Sequence, residues 1–420
     1  MHHLIIGNGP AGVIAAETLR KHAPRSDIIT LLGDEPEPPY SRMAIPYLLH
    51  GAIDERGTYL RKNADHFAAA SIRTLTRRAL GVDTRGRWVR MDGAESIHYD
   101  RLLIATGSVP NRPPIPGIDL PNIHPCWTLA DARRIMAIAK PGAKVLQMGA
   151  GFIGCIIMEA LAARGVDLTI VETGNRMVPR MMTEGAGAMI KSWCVQRGIK
   201  VHTGASVTRI EARDGRLFAT LSNGAGIDAD LVISSTGVKP NIGFLAGSGI
   251  DCDQGVLVDA RMRSNVPEVY AAGDVSQSLD FSTGERVVNA IQPVAADEAR
   301  IAALNMAGKD VATQGNLAMN VLDTVGLIAS SFGQWWGEKP ENGGDHAELV
   351  DTARFRYLRL EFRDDVLIGA CSLGLTDHVG ALRGLIQGRV QLGAWKDALK
   401  AQPLRIMDAY LATAQKSSAW

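Results

Sequence analysis

The sequence predicts an α/β protein in which two strand–loop–helix domains, one inserted in the other, precede a C-terminal α+β domain. Three observations predict this class. Glycine-rich loops occur twice, at Gly7-Asn8-Gly9-Pro10-Ala11-Gly12 and Gly149-Ala150-Gly151-Phe152-Ile153-Gly154, each between an apolar strand and a helix. An acid closes the second strand of each unit. A strand ending in a Thr-Gly turn also occurs in each unit, at Thr106-Gly107 and Thr236-Gly237. The 420 residues, 46% hydrophobic and 21% charged, suffice for two or three domains with large cores. Domains are expected at 1–112 with 243–316, at 113–242, and at 317–420.

His3-Leu4-Ile5-Ile6 reads as a buried parallel strand, and Val13 to Lys21 as the helix that follows the first loop. In such a loop one glycine makes the tight turn, one lets the backbone approach a pyrophosphate, and one allows close helix packing. The helix amino end then offers free N–H groups to the anion. Both units therefore read as Rossmann-like dinucleotide-binding domains, and two loops imply two dinucleotides. Gly7, Gly9, Pro10, Ala11 and Gly12 are the first set of candidate ligands. An acid about 20 residues on should accept from the ribose hydroxyls. The run Ile28 to Glu35 offers Asp34 or Glu35, with Asp34 favoured.

Tyr99 to Pro110 reads as a strand ending in a turn, and the proline-rich Asn111 to Gly117 as a crossing between domains. Lys144 to Met148 then leads into the second loop, whose candidates are Gly149, Gly151, Phe152, Ile153 and Gly154, with a helix from Cys155 to Arg164. Leu168 to Glu172 is its second strand. A carboxylate at Glu172 would repel a 2′-phosphate, which argues for NAD over NADP. Leu231 to Asn241, containing Gly237, closes the unit. Val269 to Val275 is a strand running into a Gly273-Asp274 turn, and a helix runs from Asn289 to Met306. Phe355 to Phe362 alternates with period two, Val366 to Cys371 is a second strand, and Gly380 to Leu411 reads as helical.

The formal net charge of +1 gives no reason to expect nucleic acid or an anionic membrane as a partner. No apolar run reaches the roughly 18 to 20 residues of a membrane span, and the amino terminus enters a strand directly, so a cytoplasmic location is expected. Five scattered cysteines without a C-x-x-C pair fit a reducing compartment and no metal site. His346 with Glu348, read as lying in a loop, and His378 are more often structural or solvated than catalytic. Trp335-Trp336 and Trp420 are candidate docking aromatics, although adjacent tryptophans more often have one member in the core.

At this point the chain resembles the pyridine-nucleotide-dependent FAD oxidoreductases with two dinucleotide-binding domains. Four segments in order carry the resemblance: the first loop, Ala105-Thr106-Gly107, the second loop, and Ala271-Ala272-Gly273-Asp274. It implies that the first loop, with Thr106, Gly107, Gly273 and Asp274, holds FAD and that the inserted domain holds NAD. Pro39-Tyr40-Ser41-Arg42 is similar to the rubredoxin and ferredoxin reductase and nitrite reductase flavin-module branch, which implies Arg42 as an FAD contact. Met43 stands where thiol-dependent relatives carry a cysteine, and methionine forms no thiolate. A flavin performs hydride and single-electron transfer itself, so no catalytic side chain is assigned.

These readings predict an FAD-dependent NADH oxidoreductase exchanging electrons with a protein carrier, such as a ferredoxin or rubredoxin, or with an iron–sulfur subunit of a 2-oxoacid dehydrogenase or nitrite reductase complex. The alternatives are an NADH oxidase that uses dioxygen and a flavin-based sensor or assembly protein with little turnover. The resemblance also allows a homodimer through the final domain.

Overall fold

In the computed structural model, which describes residues 1–414, the strand His2–Ile6 is buried along its last four residues. A strand buried on both faces belongs at the centre of a parallel sheet. It pairs in parallel with Ile28–Gly33 on one side and Arg101–Ile104 on the other, and Ile72–Thr76 and Val269–Ala271 complete five strands. The helix Pro10–His22 packs against Gln292–Met306 through alanines, among them Ala15, Ala16, Ala299 and Ala303. Small side chains on both helices allow that close approach.

These elements belong to one compact unit, Met1–Pro110 with Val238–Asn316. The other unit comprises Asn111–Gly237 and the described part of Leu317–Trp420. Its parallel sheet runs Lys200–Thr203, Asp167–Glu172, Lys144–Met148, Leu231–Ser234 and Ile123–His124. The helix Phe152–Ala163 follows the central strand.

From Met319 onward five antiparallel strands form, in the order Met319–Thr324, Leu327–Gly333, Val366–Leu373, Arg356–Arg363 and Gly344–Asp351. Three helices, Val379–Gln387, Ala394–Ala401 and Ile406–Thr413, follow. The sequence reading marks only two of these strands, Arg356–Arg363 and Val366–Leu373. The strand Leu327–Gly333 is disguised by buried polar residues, among them Ser330, which sits opposite Ser372 and is hydrogen-bonded to it at 2.6 Å inside the sheet. His346 and Glu348 lie on the edge strand rather than in a loop, opposite Glu361 and Arg359. Among the described residues no helix is long and apolar enough to cross a membrane.

Candidate functional site

Both glycine loops leave the carboxyl end of the central strand of their sheet, where ligands bind in open α/β sheets. In the first, Gly7 has φ +111°, and a Cβ there would lie 2.1 Å from the Ala105 carbonyl oxygen. A Cβ on Gly12 would lie 1.8 Å from the Gly7 carbonyl oxygen. These two glycines are required by the chain itself. Gly9 differs, because a Cβ there meets nothing within 4 Å. Gly9 is also the N-cap of the helix, no side chain caps it, Pro10 occupies the first turn and no acid does. The amino end thus faces open space with its field uncompensated, which suits a diphosphate.

The side chains around this loop come from distant segments. Glu35 accepts from Tyr40 Oη at 2.6 Å and from Arg42 at 2.6 Å. Asp34, the favoured ribose candidate, instead pairs with Arg78 at 3.2 Å and is nearly half exposed. Arg42 also faces Asp274, whose carboxylate accepts from Ser108 Oγ at 2.8 Å. Burial raises the Asp274 carboxyl pKa, opposed by Ser108 and Arg42. Thr106 Oγ1 donates to the Asn241 carbonyl at 2.9 Å, and the Gly107 carbonyl accepts from the Asn241 N–H at 2.9 Å. Gly273 has φ +82°, and a Cβ there would stand 3.2 Å from Ala11.

Two residues here escaped the sequence reading. Glu298, 1% exposed, accepts from the Gly273 N–H, Ser276, Ser278 and Asn316, and so fixes the turn that presents Asp274. Asn289, just before the second alanine-rich helix, has a buried Nδ2 with no partner among the described residues. An orphaned donor beside a helix amino end, itself without a side-chain cap, is suited to a hydrogen-bond acceptor on a ligand.

The second loop repeats the geometry. Gly149 has φ +100°, a Cβ on Gly154 would lie 2.5 Å from the Gly149 carbonyl oxygen, and one on Gly151 meets nothing within 4 Å. Phe152 and Ile153 open the helix, whose N-cap Gly151 has no side-chain cap. Glu172 is buried, with Oε2 accepting from the Ala150 N–H and Oε1 from the Gly174 N–H, both at 2.7 Å. The neighbouring Arg176 donates to the carbonyls of Met182 and Pro179 and to Asn175. The Gly237 carbonyl accepts from the Asn111 N–H at 2.8 Å.

Cys126, Cys155, Cys194 and Cys371 are buried, and burial pushes their thiols upward, to about 12 for Cys126, Cys194 and Cys371. Met43 is 44% exposed. Trp336 is exposed and Trp335 half-buried, their rings edge-to-face at 5.7 Å, so neither tryptophan is a core residue. Trp420 lies outside the described residues.

The pattern of the family described as pyridine nucleotide-disulphide oxidoreductase matches residues 1–293. The chain is 32% identical over 410 residues to the NADH-dependent phenylglyoxylate dehydrogenase subunit epsilon of Aromatoleum evansii, covering 96% of each chain. It is 31% identical to an NADH oxidase of Methanocaldococcus jannaschii, covering 73% of this chain and 70% of that one. Putidaredoxin reductase, solved in covalent complex with putidaredoxin, superposes with a TM-score of 0.89 over 98% of both chains. At 21% identity that match speaks for the fold alone.

Proposed function

The chain belongs to the pyridine nucleotide-disulphide oxidoreductase family, and from that premise we propose that it is an FAD-dependent NADH oxidoreductase exchanging electrons with a protein carrier or an iron–sulfur subunit of a larger complex. The observation that carries this reading is the pair of preformed cradles, each an open glycine before an uncapped helix, in a chain with Met43 at the thiol position. Electrons that reach the flavin site have no thiolate there to receive them. A partner must take them. The similarity to subunit epsilon along 96% of both chains supports a subunit role of the same kind, with electrons running in either direction.

FAD, when bound, would supply hydride acceptance from NADH and the return of electrons singly or in pairs. This chain's residues bind and orient. The first loop, through Gly7, Gly9, Pro10, Ala11 and Gly12, receives the FAD pyrophosphate at the helix amino end. Glu35, with Asp34 as the alternative, accepts from the ribose, and Arg42 offsets the diphosphate charge. Asp274 accepts from the ribityl chain, and Thr106, Gly107 and Gly273 shape the turns beside it. Asn289 Nδ2 would supply a free donor to the bound cofactor. In the second loop Gly149, Gly151, Phe152, Ile153 and Gly154 receive the NAD(H) pyrophosphate, with Glu172 and Gly237 alongside. The Glu172 carboxylate would repel a 2′-phosphate, and Arg176 is engaged by the Met182 and Pro179 carbonyls and by Asn175, so NADH is preferred over NADPH. The reading includes a cytoplasmic location and a homodimer.

The test is anaerobic reduction of the FAD-loaded protein by NADH, followed by exposure to air. Fast reduction and slow return of flavin absorbance, accelerated by a one-electron protein acceptor, is the expected result. Rapid return in air alone would instead identify an oxidase. Reduction slower than about one per second, the low end of ordinary turnover, would favour a sensor.

A further inference from the structure

Gln147 is fully buried in the strand Lys144–Met148, beneath the second glycine loop. Its Nε2 donates to the carbonyl of Gly149 and to that of Gly154, both at 2.9 Å. One amide thereby ties the first glycine of the loop to the last. Ser235 Oγ shares its proton between the Met148 carbonyl at 2.8 Å and the Gly149 carbonyl at 3.1 Å, and the N–H of the same Gly149–Ala150 peptide, on Ala150, donates to Glu172. The Gly149–Ala150 peptide is thus held at both polar atoms by three side chains from three different strands or turns.

This arrangement carries a cost. Gln147 Oε1 is buried without a partner among the described residues, and an unsatisfied buried acceptor is destabilising. The matching position before the first loop, two residues ahead of Gly7, is Ile5, also fully buried. A strand that needed only to fill the core would carry an aliphatic residue at both places. The amide occurs only beneath the second loop, and its donor side is directed at that loop's carbonyls.

We infer that Gln147 is a positioning residue for NAD(H): it presets the Gly149–Gly154 loop in the shape that receives the pyrophosphate, without touching the dinucleotide. Carbonyls held beneath the loop are kept away from an anion they would repel. The inference rests on the reading of the second loop as the NAD(H) site.

Rapid mixing of the FAD-loaded full chain with NADH, under anaerobic conditions, gives an apparent Kd from the saturation of the flavin reduction rate and a limiting rate at saturation. Gln147→Met preserves length and removes both donors. It is expected to raise the Kd for NADH about tenfold, or about 1.4 kcal/mol, while the limiting rate, the flavin content and the rate of flavin reduction by dithionite stay at wild-type values. Ser235→Ala removes the hydroxyl shared by the Met148 and Gly149 carbonyls and is expected to act in the same direction, with the double variant departing from additivity because both side chains reach the Gly149 carbonyl. A Gln147→Met protein with wild-type Kd overturns the inference. So does one whose limiting rate or flavin content falls in step with affinity, because that is the signature of a general structural role. Should Gln147→Met fail to fold, Ser235→Ala with an unchanged Kd overturns it as well. Failure of the wild-type protein to be reduced by NADH would overturn the underlying reading of the loop instead.

Discussion

Asp274, the proposed flavin ligand, is a carboxylate held at the expense of stability. Burial is the main reason its folded pKa lies above its ordinary value, with the Ser108 hydrogen bond and the Arg42 charge working against burial. Because the folded pKa exceeds the unfolded one, the folded chain binds a proton more readily. Apoprotein stability from this group is greatest below the unfolded pKa and is lost as pH rises through the folded pKa. Asp274→Asn removes that loss. The variant apoprotein should unfold at a higher temperature than wild type at pH 7, with the difference vanishing in acid, while flavin affinity falls about tenfold for one charged hydrogen bond. Calorimetry of both apoproteins across pH checks this, and an Asn variant no more stable at pH 7 would refute it. The Gly273-Asp274 turn was legible in the sequence because it is a local motif, and the resemblance implied Asp274 as a flavin ligand. Glu298, which fixes that turn, was not. Its donors come from Gly273, Ser276, Ser278 and Asn316, and in sequence it is one acid on an alanine-rich helix.

At the scale of the elements, the glycine loops were legible because strand, loop and helix are contiguous and each glycine has a separate physical reason. The structure divides those reasons in a way that can be measured. Gly12 is required by the chain, since a Cβ would lie 1.8 Å from the Gly7 carbonyl oxygen; Gly9 is not, since a Cβ there meets nothing within 4 Å and its φ of −73° suits any residue. Gly12→Ala should therefore destabilise the apoprotein by about 1–3 kcal/mol, as overpacking does. Gly9→Ala should leave apoprotein stability unchanged and weaken FAD binding about tenfold or more, because the methyl group occupies the space of the ligand. Gly151→Ala should do the same to NADH while FAD is retained. Urea unfolding and flavin titration of the three variants separate the two roles, and equal destabilisation by Gly9→Ala and Gly12→Ala would refute the division. The choice between Asp34 and Glu35 was open in the sequence because adjacent residues at a strand end point to opposite sides. In the structure Arg78 pairs with Asp34 and Arg42 with Glu35.

At the scale of the molecule, the C-terminal segment was the least legible part, and the reason lies in how the helix Phe152–Ala163 is used. Its sequence, FIGCIIMEALAA, is apolar around almost its whole circumference, and none of its residues before Ala163 is exposed. A helix of that kind needs cover on every side. The parallel sheet covers one side, and the strand Met319–Thr324 lies against the helix as well. Further links join the same segments: Thr183 Oγ1 donates to Tyr357 Oη at 2.7 Å, Trp193 Nε1 donates to the Val325 carbonyl at 3.1 Å, and Cys371 lies against Met182. Periodicity in residues 317–420 could not announce this, because the residues that make these contacts are a tyrosine, a turn carbonyl and a cysteine rather than an apolar stripe. The segment is therefore part of the core around the second loop and not an independent cap. A chain ending at Asn316 should keep slow amide exchange in the strands His2–Ile6 and Arg101–Ile104, which belong to the other unit. Exchange in Phe152–Ala163 and Glu184–Gln196 should quicken by one to two orders of magnitude, as expected when about 2 kcal/mol of local burial is lost. NADH should no longer reduce the bound flavin at the full-length rate. Hydrogen exchange in Phe152–Ala163 as slow as in the full chain would mean that the sheet alone holds the helix, and that the C-terminal strands serve the partner rather than the fold.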